Sequence, residues 1–321
     1  MCLSIQIRVP AWNSSESAQL DAILILSDHS TMGWSPLLNT LQKVLEPLPL
    51  RGKGRLSKVV FRFLAAEEAE CHPLPSVTVF VRPDKWIERL MWAGAYEREL
   101  VRLFKRVLKP GMTVLDLGAN IGYFSVLAAG LVGKSGQVHA FEPAPTCFTR
   151  LKRNLAAFPW AHAYPIAAAD APGTACFHFS DKANESGWGS LLSENDAFTR
   201  ETMVPVARLD DWAREQAIRR VDFIKMDIEG AEFRALQGAT ELLSRYRPVV
   251  VAELNSVCLA RDDHQPDDVL ALLRAAGYDN FAFNDGVLAL PSEARHQILE
   301  IEGLSAEPLD LKLETEASVH P

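Results

Sequence analysis

Apolar residues along this chain fall into two rhythms. Between Trp86 and Leu108, the positions Ile87, Leu90, Met91, Leu100, Leu103, Phe104 and Val107 recur at helical spacing, with a break at Gly94. From Val114 onward, short apolar runs that read as buried strands alternate with helical segments. Val114 to Leu117 is the first such strand, followed by a tight loop holding Gly118 and Gly122, an apolar helix from Tyr123, and a second strand ending at Glu142. Pro143 opens a helix through Leu151 and Leu155, and a strand around Ala161 to Ala168 follows, closed by Asp170 and Gly173. Strand, helix, strand, helix, strand implies a parallel sheet with right-handed crossovers.

The alternation is interrupted once. Thr174 to Phe179 and Met203 to Leu209 read as strands flanking a polar loop, Asp181 to Arg200, whose length marks it as functional; we read it as a lid within an insertion spanning 174–209. The pattern then resumes with a strand at Asp222 to Met226, a helix from Ala231 to Arg245, a strand from Pro248 ending at Glu253, and a helix from Asp267 to Ala276 stopped by Gly277. Tyr278 to Phe283 and Val287 to Leu290, joined through Asn284, Asp285 and Gly286, form a hairpin signal. Upstream, Ser76 to Val81 predicts a short strand ended by Pro83, and Leu37 to Leu45 a helix in a segment broken by Pro36, Pro47 and Pro49. Three regions result: an N-terminal extension at 1–80, a main domain at 81–295, and an acidic tail at 296–321 in which Leu309, Leu311 and Leu313 alternate with charges.

The stretch from Val114 to Glu142 is a nucleotide-binding half-unit of a doubly wound α/β sheet. Glycine spacing decides which nucleotide. A dinucleotide fingerprint needs glycine where this chain has Asn120 and Tyr123, so a pyrophosphate fits badly and a nicotinamide-dependent oxidoreductase is disfavoured. Asp116 would repel phosphate and attract an ammonium group, which suits adenosine joined to an amino acid, as in S-adenosyl-L-methionine. Glu142, after the second strand, can accept hydrogen bonds from ribose hydroxyls.

Composition narrows the rest. With 321 residues, 48% hydrophobic and 23% charged, the chain can bury a sizeable core. Its formal net charge of -8 argues against a nucleic-acid partner. Cys2, Cys71, Cys147, Cys176 and Cys258 are scattered without metal-ligand spacing, and His178 and His264 read as a half-buried strand residue and a solvated loop residue, so no His–Cys group suggests zinc. Ile23 to Leu26 is too short for a secretion signal and no apolar run is long enough to span a bilayer, so the expected location is cytoplasmic. No motif bears on oligomeric state.

The segments Asp116-Leu117-Gly118-Ala119-Asn120-Ile121-Gly122, Phe141-Glu142-Pro143, Arg208-Leu209-Asp210-Asp211 and Val221 through Glu232 resemble the FkbM family of S-adenosylmethionine-dependent methyltransferases. The resemblance runs over roughly 80–290. It implies a Rossmann-like class I methyltransferase fold, a seven-stranded mostly parallel sheet in the order 3-2-1-4-5-7-6 ending in an antiparallel hairpin, and O-methylation of a small-metabolite or saccharide hydroxyl. A cofactor-binding module without catalysis, serving as a partner domain, is the alternative. The resemblance places Asp116 and the backbone of Gly118, Ala119 and Asn120 at the methionine end, in the loop closed by Gly122, with Glu142 on the ribose. Asp170 is placed either on the adenine amino group or in a turn, and Glu97 either on the cofactor amino group or on a helix surface. Asn184 and Ser190 match polar positions around the insertion, and Trp188 could shield the site or stack on a sugar; all three could instead be turn residues.

A hydroxyl needs help to lose its proton. Asp227 and Glu229, two apart at the end of the fourth strand, share one face if the backbone is extended. One could act as general base, both could ligate a divalent cation, or one could pair with Lys225 or cap the helix near Gly230. Glu253, at the equivalent end of the fifth strand, could add a third carboxylate.

Overall fold

A computed structural model of the protein describes residues 68–179, 189–191 and 200–294. The helix expected at Leu37 to Leu45 and the acidic tail lie outside them. The chain enters through a hairpin of β1 (Ala69–Leu74) and β2 (Val77–Val81), then two helices, α1 (Trp86–Trp92) and α2 (Arg98–Val107). The first of these strands is absent from the sequence expectation. Val77, Val79 and Val81 alternate inward and join the same apolar core as Val126, Leu127 and Ala128. Residues 69–80 therefore pack with the main body rather than as a separate extension.

The main sheet follows the expected course: β3 (Thr113–Leu117), α3 (Tyr123–Val132), β4 (Gln137–Phe141), α4 (Pro145–Leu155) and β5 (Ala161–Tyr164). Here the predicted third strand divides. Tyr164 ends β5, Pro165 and Ile166 intervene, and β6 (Ala167–Ala169) pairs in another sheet. Proline has no N–H to continue a ladder, which suits a change of partner at this point. That second sheet has the order β6-β9-β7-β8, with β7 (Gly173–Phe179), β8 (Gly189–Ser190) and β9 (Arg200–Arg208). The strands expected at 174–179 and 203–209 are present as β7 and β9, with β8 between them, and most of the polar segment read as a lid lies outside the described residues.

After α5 (Leu209–Glu215) come β10 (Phe223–Met226), α6 (Glu232–Gln237), α7 (Thr240–Tyr246), β11 (Val249–Glu253), α8 (Ser256–Leu259), α9 (Pro266–Ala275), β12 (Tyr278–Phe283) and β13 (Gly286–Pro291). The single helix expected over 231–245 is two, because Gly238 lies so close to the end of β6 that an added Cβ would meet the Ala169 carbonyl at 2.1 Å. The seven-stranded sheet runs β12-β13-β11-β10-β3-β4-β5, with β13 antiparallel to both its neighbours. Renumbered along the sheet, this is the order 3-2-1-4-5-7-6. One face is covered by α1, α2, α3 and the β1–β2 hairpin, the other by α5, α6, α7 and α9, each through its own apolar cluster. The order reverses between β3 and β10, and the crevice at their C-terminal ends is where open α/β sheets bind ligands.

Two buried polar groups fix the hairpin and α1 to this frame. Glu88 holds Arg150 of α4 through two contacts of 2.6 Å. Asn154 accepts the Phe80 N–H at 2.9 Å and donates to the Ile121 carbonyl at 2.7 Å, joining the hairpin to the glycine loop. Asn154→Ala is expected to cost about 1 kcal/mol of stability by leaving these groups unpaired. A lowered denaturation midpoint at unchanged m-value checks it.

Candidate active site

The loop after β3 is shaped by close approach. Gly118 has φ +75°, and a Cβ there would meet the Asp227 carbonyl at 1.9 Å, so the loop after β3 and the loop after β10 touch through their backbones. The Gly118 and Ala119 N–H groups both donate to the Phe141 carbonyl at 3.0 Å. Asn120 adopts the left-handed region, and its N–H donates to Glu142 Oε2 at 2.8 Å, while the Ala144 N–H donates to Oε1 at 2.8 Å. Glu142 thus clasps both loops. Burial pushes its carboxyl up to about 7 even though both N–H bonds favour the charged form.

Beneath this loop lies a buried charge cluster. Asp116 accepts the Ser125 hydroxyl at 2.5 Å and lies 3.5 Å from Lys225 Nζ. It does not line the cavity. The resemblance places Asp116 at the methionine end; β3 is buried on both faces, and this side chain points into the layer shared with α3 and β10. Lys225 Nζ also donates to the Gly118 carbonyl at 3.2 Å and to Asp227 Oδ2 at 3.4 Å. Burial disfavours its charge, but Asp227 and Asp116 outweigh burial and raise its pKa.

β10 ends at Met226, so Asp227 and Glu229 are not in extended backbone as supposed. The Asp227 N–H donates to the Leu117 carbonyl at 3.1 Å, and Glu229 and Gly230 follow with φ +53° and +106°. Gly230 is needed where the turn meets α8, since a Cβ would approach the Cys258 carbonyl at 2.5 Å. The turn is held by Glu232, whose two oxygens accept the Ile228 and Gly230 N–H groups at 3.0 Å each. Ser190 donates from β8 to the Glu229 carbonyl at 2.9 Å, and the Cys258 thiol donates to Glu229 Oε2 at 3.4 Å. Ser190→Ala is expected to slow turnover roughly fivefold, about 1 kcal/mol on the barrier, by loosening this turn. Steady-state rates at saturating cofactor check it.

These loops frame a cavity of about 770 Å³ lined by six acids, Glu97, Glu142, Asp227, Glu229, Glu253 and Asp285, against two cations, Lys225 and Arg261. Desolvation followed by repulsion from Asp227 raises the pKa of Glu97, Glu229 and Glu253, the last to about 8. Burial, together with Asp227, Glu97 and Glu253, holds the half-buried Tyr96 phenol well above its ordinary value. Trp86 and Val257, exposed by 44% and 68%, stand among the lining residues.

Of the residues singled out in the sequence, Gly118, Ala119, Asn120, Glu142, Asp227, Glu229, Glu253 and Glu97 line this cavity. Gly122 does not; it starts α3 and packs on Leu151. Asp170 is exposed beyond β6 and outside the lining, because β6 has already turned into the second sheet. Ser190 is buried behind the Glu229 turn rather than in the lining. Asn184 and Trp188 fall outside the described residues. Lys225 was visible in the sequence only as an ion-pair partner, and Tyr96, Arg261 and Glu232 carried no signal beyond residue type.

Lys225 lies beside Asp227, and Asp227, Glu229 and Glu253 do not form a group of three whose oxygens all lie within 4.8 Å of one another. The one His/Cys/acid group among the described residues that meets this distance is Cys176, His178 and Glu201, across β7 and β9 and away from the cavity. The lack of any His–Cys group in the sequence pattern is corrected to that extent: the antiparallel register brings the three together.

Residues 116–279, just over half of the chain, match the family described as "Methyltransferase FkbM domain". The chain is 31% identical over 162 residues to "2-O-methyltransferase NoeI" of Sinorhizobium fredii, covering 47% of this chain and 65% of that protein. It is also 31% identical over 210 residues to "31-O-demethyl-FK506 methyltransferase FkbM" of Streptomyces tacrolimicus, covering 57% of this chain and 78% of that one. Among solved structures, methyltransferase FkbM from Methylobacillus flagellatus matches 63% of this chain and 53% of its own, at 17% identity and a TM-score of 0.38. No helix among the described residues is long and apolar enough to cross a membrane.

Proposed function

The chain belongs to the FkbM methyltransferase family, and on that premise we propose that it methylates a hydroxyl of a small metabolite or a saccharide. S-adenosyl-L-methionine, when bound, supplies an electrophilic methyl on a sulfonium sulfur. The cavity fits this donor in size and charge: six acids against two cations favour a cationic ligand. Glu142, with both oxygens directed by backbone N–H groups, is the residue to hold the ribose hydroxyls. Gly118, Ala119 and Asn120 offer a loop close enough for backbone contact with the methionine end.

The observation that carries the reading is Asp227. Its carboxylate, 31% exposed, faces the same cavity as Glu142 and is anchored on Lys225. A hydroxyl must shed its proton as it attacks, and a positioned carboxylate can take it. Burial and the nearby Asp227 push the Glu253 carboxyl up to about 8, which favours its protonated form beside Asp227. Glu229 shapes the turn beside it. The acidic lining also supports an acceptor other than a nucleic-acid backbone.

The test uses S-adenosyl-L-methionine labelled in its methyl group, with a panel of glycosides and hydroxylated metabolites. Stable methyl ether formation on any of them supports O-methylation. Cofactor binding without transfer to any hydroxyl would instead favour the non-catalytic binding module.

A further inference from the structure

Lys225 is placed as no surface cation would be. It lies on β10 directly beside Asp116 of β3 and Val251 of β11, and Asp227 follows two residues on. An ammonium has three N–H donors. Two acceptors meet them, the Gly118 carbonyl at 3.2 Å and Asp227 Oδ2 at 3.4 Å, and Asp116 Oδ1 adds an ion pair at 3.5 Å. The Phe124 ring closes the remaining side, 5.7 Å away. Asp116 is itself held by Ser125, and Gly118 by the Phe141 carbonyl and by its contact with the Asp227 backbone. Two of the three partners thus belong to a rigid floor, and the third is the carboxylate that reaches the cavity.

We propose that Lys225 is a positioning residue for methyl transfer, a tripod whose two buried legs stand on Asp116 and the Gly118 carbonyl and whose third aims Asp227 at the acceptor and balances its charge. This rests on Asp227 being the base. The groups that face Asp227 are Tyr96 and Glu97 at the start of α2, Glu229 and Glu232 in and after its own turn, Glu253 at the end of β11, and Lys225. Five of these six are acids, and Lys225 alone supplies a positive charge in contact. Without it, Asp227 is left with acidic neighbours alone, which disfavours its charged form, and loses its tether to the floor of the cavity. The same ammonium touches the cofactor loop, so the geometry of donor site and base is set by one side chain.

The experiment follows the Asp227 carboxyl carbon by NMR in full-length protein labelled at the aspartate carboxyl carbon, with S-adenosylhomocysteine bound. The resonance is assigned by its loss in Asp227→Asn. Wild type, Lys225→Met, Lys225→Gln and Lys225→Arg are titrated, Gln serving as a neutral, hydrogen-bonding replacement should Met fail to fold. The tripod requires the titration midpoint to rise by about one pH unit or more in the neutral variants and to return toward wild type in Lys225→Arg. Where an acceptor is available, the acid limb of kcat moves the same way. A midpoint that does not move in the neutral variants, or a fall in kcat with no shift of the acid limb, overturns the proposal. Wild type that methylates no acceptor would overturn the proposed function instead, and the titration would still decide the role of Lys225.

Discussion

Asp227→Asn is expected to lower kcat by about 10²- to 10⁴-fold, the range associated with loss of a general base. Asparagine keeps the shape and can still accept from Lys225, but it cannot take a proton. In the proposed function Asp227 serves the acceptor rather than the cofactor, so affinity for S-adenosylhomocysteine should stay within about threefold. Glu253→Gln should cost less, roughly tenfold at most, since burial and Asp227 favour its protonated form and glutamine mimics that form. Rates and titration calorimetry on both variants separate the two carboxylates. If Asp227→Asn is fully active and Glu253→Gln is not, the roles are exchanged.

Glu142→Ala should weaken cofactor binding by about 1 to 3 kcal/mol, roughly 5- to 150-fold, through lost ribose hydrogen bonds. The pH dependence sharpens this. The folded-state carboxyl is raised to about 7 from 4.5, so the protonated form is favoured by folding; the stabilisation is fully present below 4.5 and lost as pH rises through about 7. Hydroxyl donors bind the carboxylate, not the acid. Cofactor affinity should therefore climb between pH 6 and 8 and level off above, roughly tenfold across the window, and Glu142→Ala should flatten the curve. Because the Asn120 and Ala144 N–H groups also lose their acceptor, the variant should melt earlier as well. Calorimetry as a function of pH distinguishes the two effects, since a purely structural role leaves the slope unchanged.

The half-unit from β3 to β4 was legible in the sequence because its strands are continuous apolar runs and its loop residues are unusual. The terminal hairpin announced itself through Asn284, Asp285 and Gly286. The second sheet did not. Its parallel pairing of β6 with β9 joins residues nearly forty apart in sequence, and Ala167–Ala169 looks locally like the continuation of β5. Pro165 was the one mark of the change. In the site, Glu142 and Asp227 could be found because each follows a buried strand at the sheet end where ligands bind. Asp116 is harder to place: on a strand buried on both faces, alternation does not tell a residue facing the ligand from one beneath the floor. Glu229 was assigned a strand geometry it does not have, since the turn it occupies is set by Glu232 and Ser190. Lys225, Glu232 and Ser190 act through other groups, and contacts of that kind leave no spacing rule in the chain.

The most direct test of the account is a crystal structure with S-adenosylhomocysteine bound. Ribose hydroxyls are expected on Glu142, with an open space in front of the sulfur bordered by the Asp227 carboxylate and Lys225 behind it. A ribose held elsewhere, or Asp227 turned away from the sulfur with another base in that space, would contradict it.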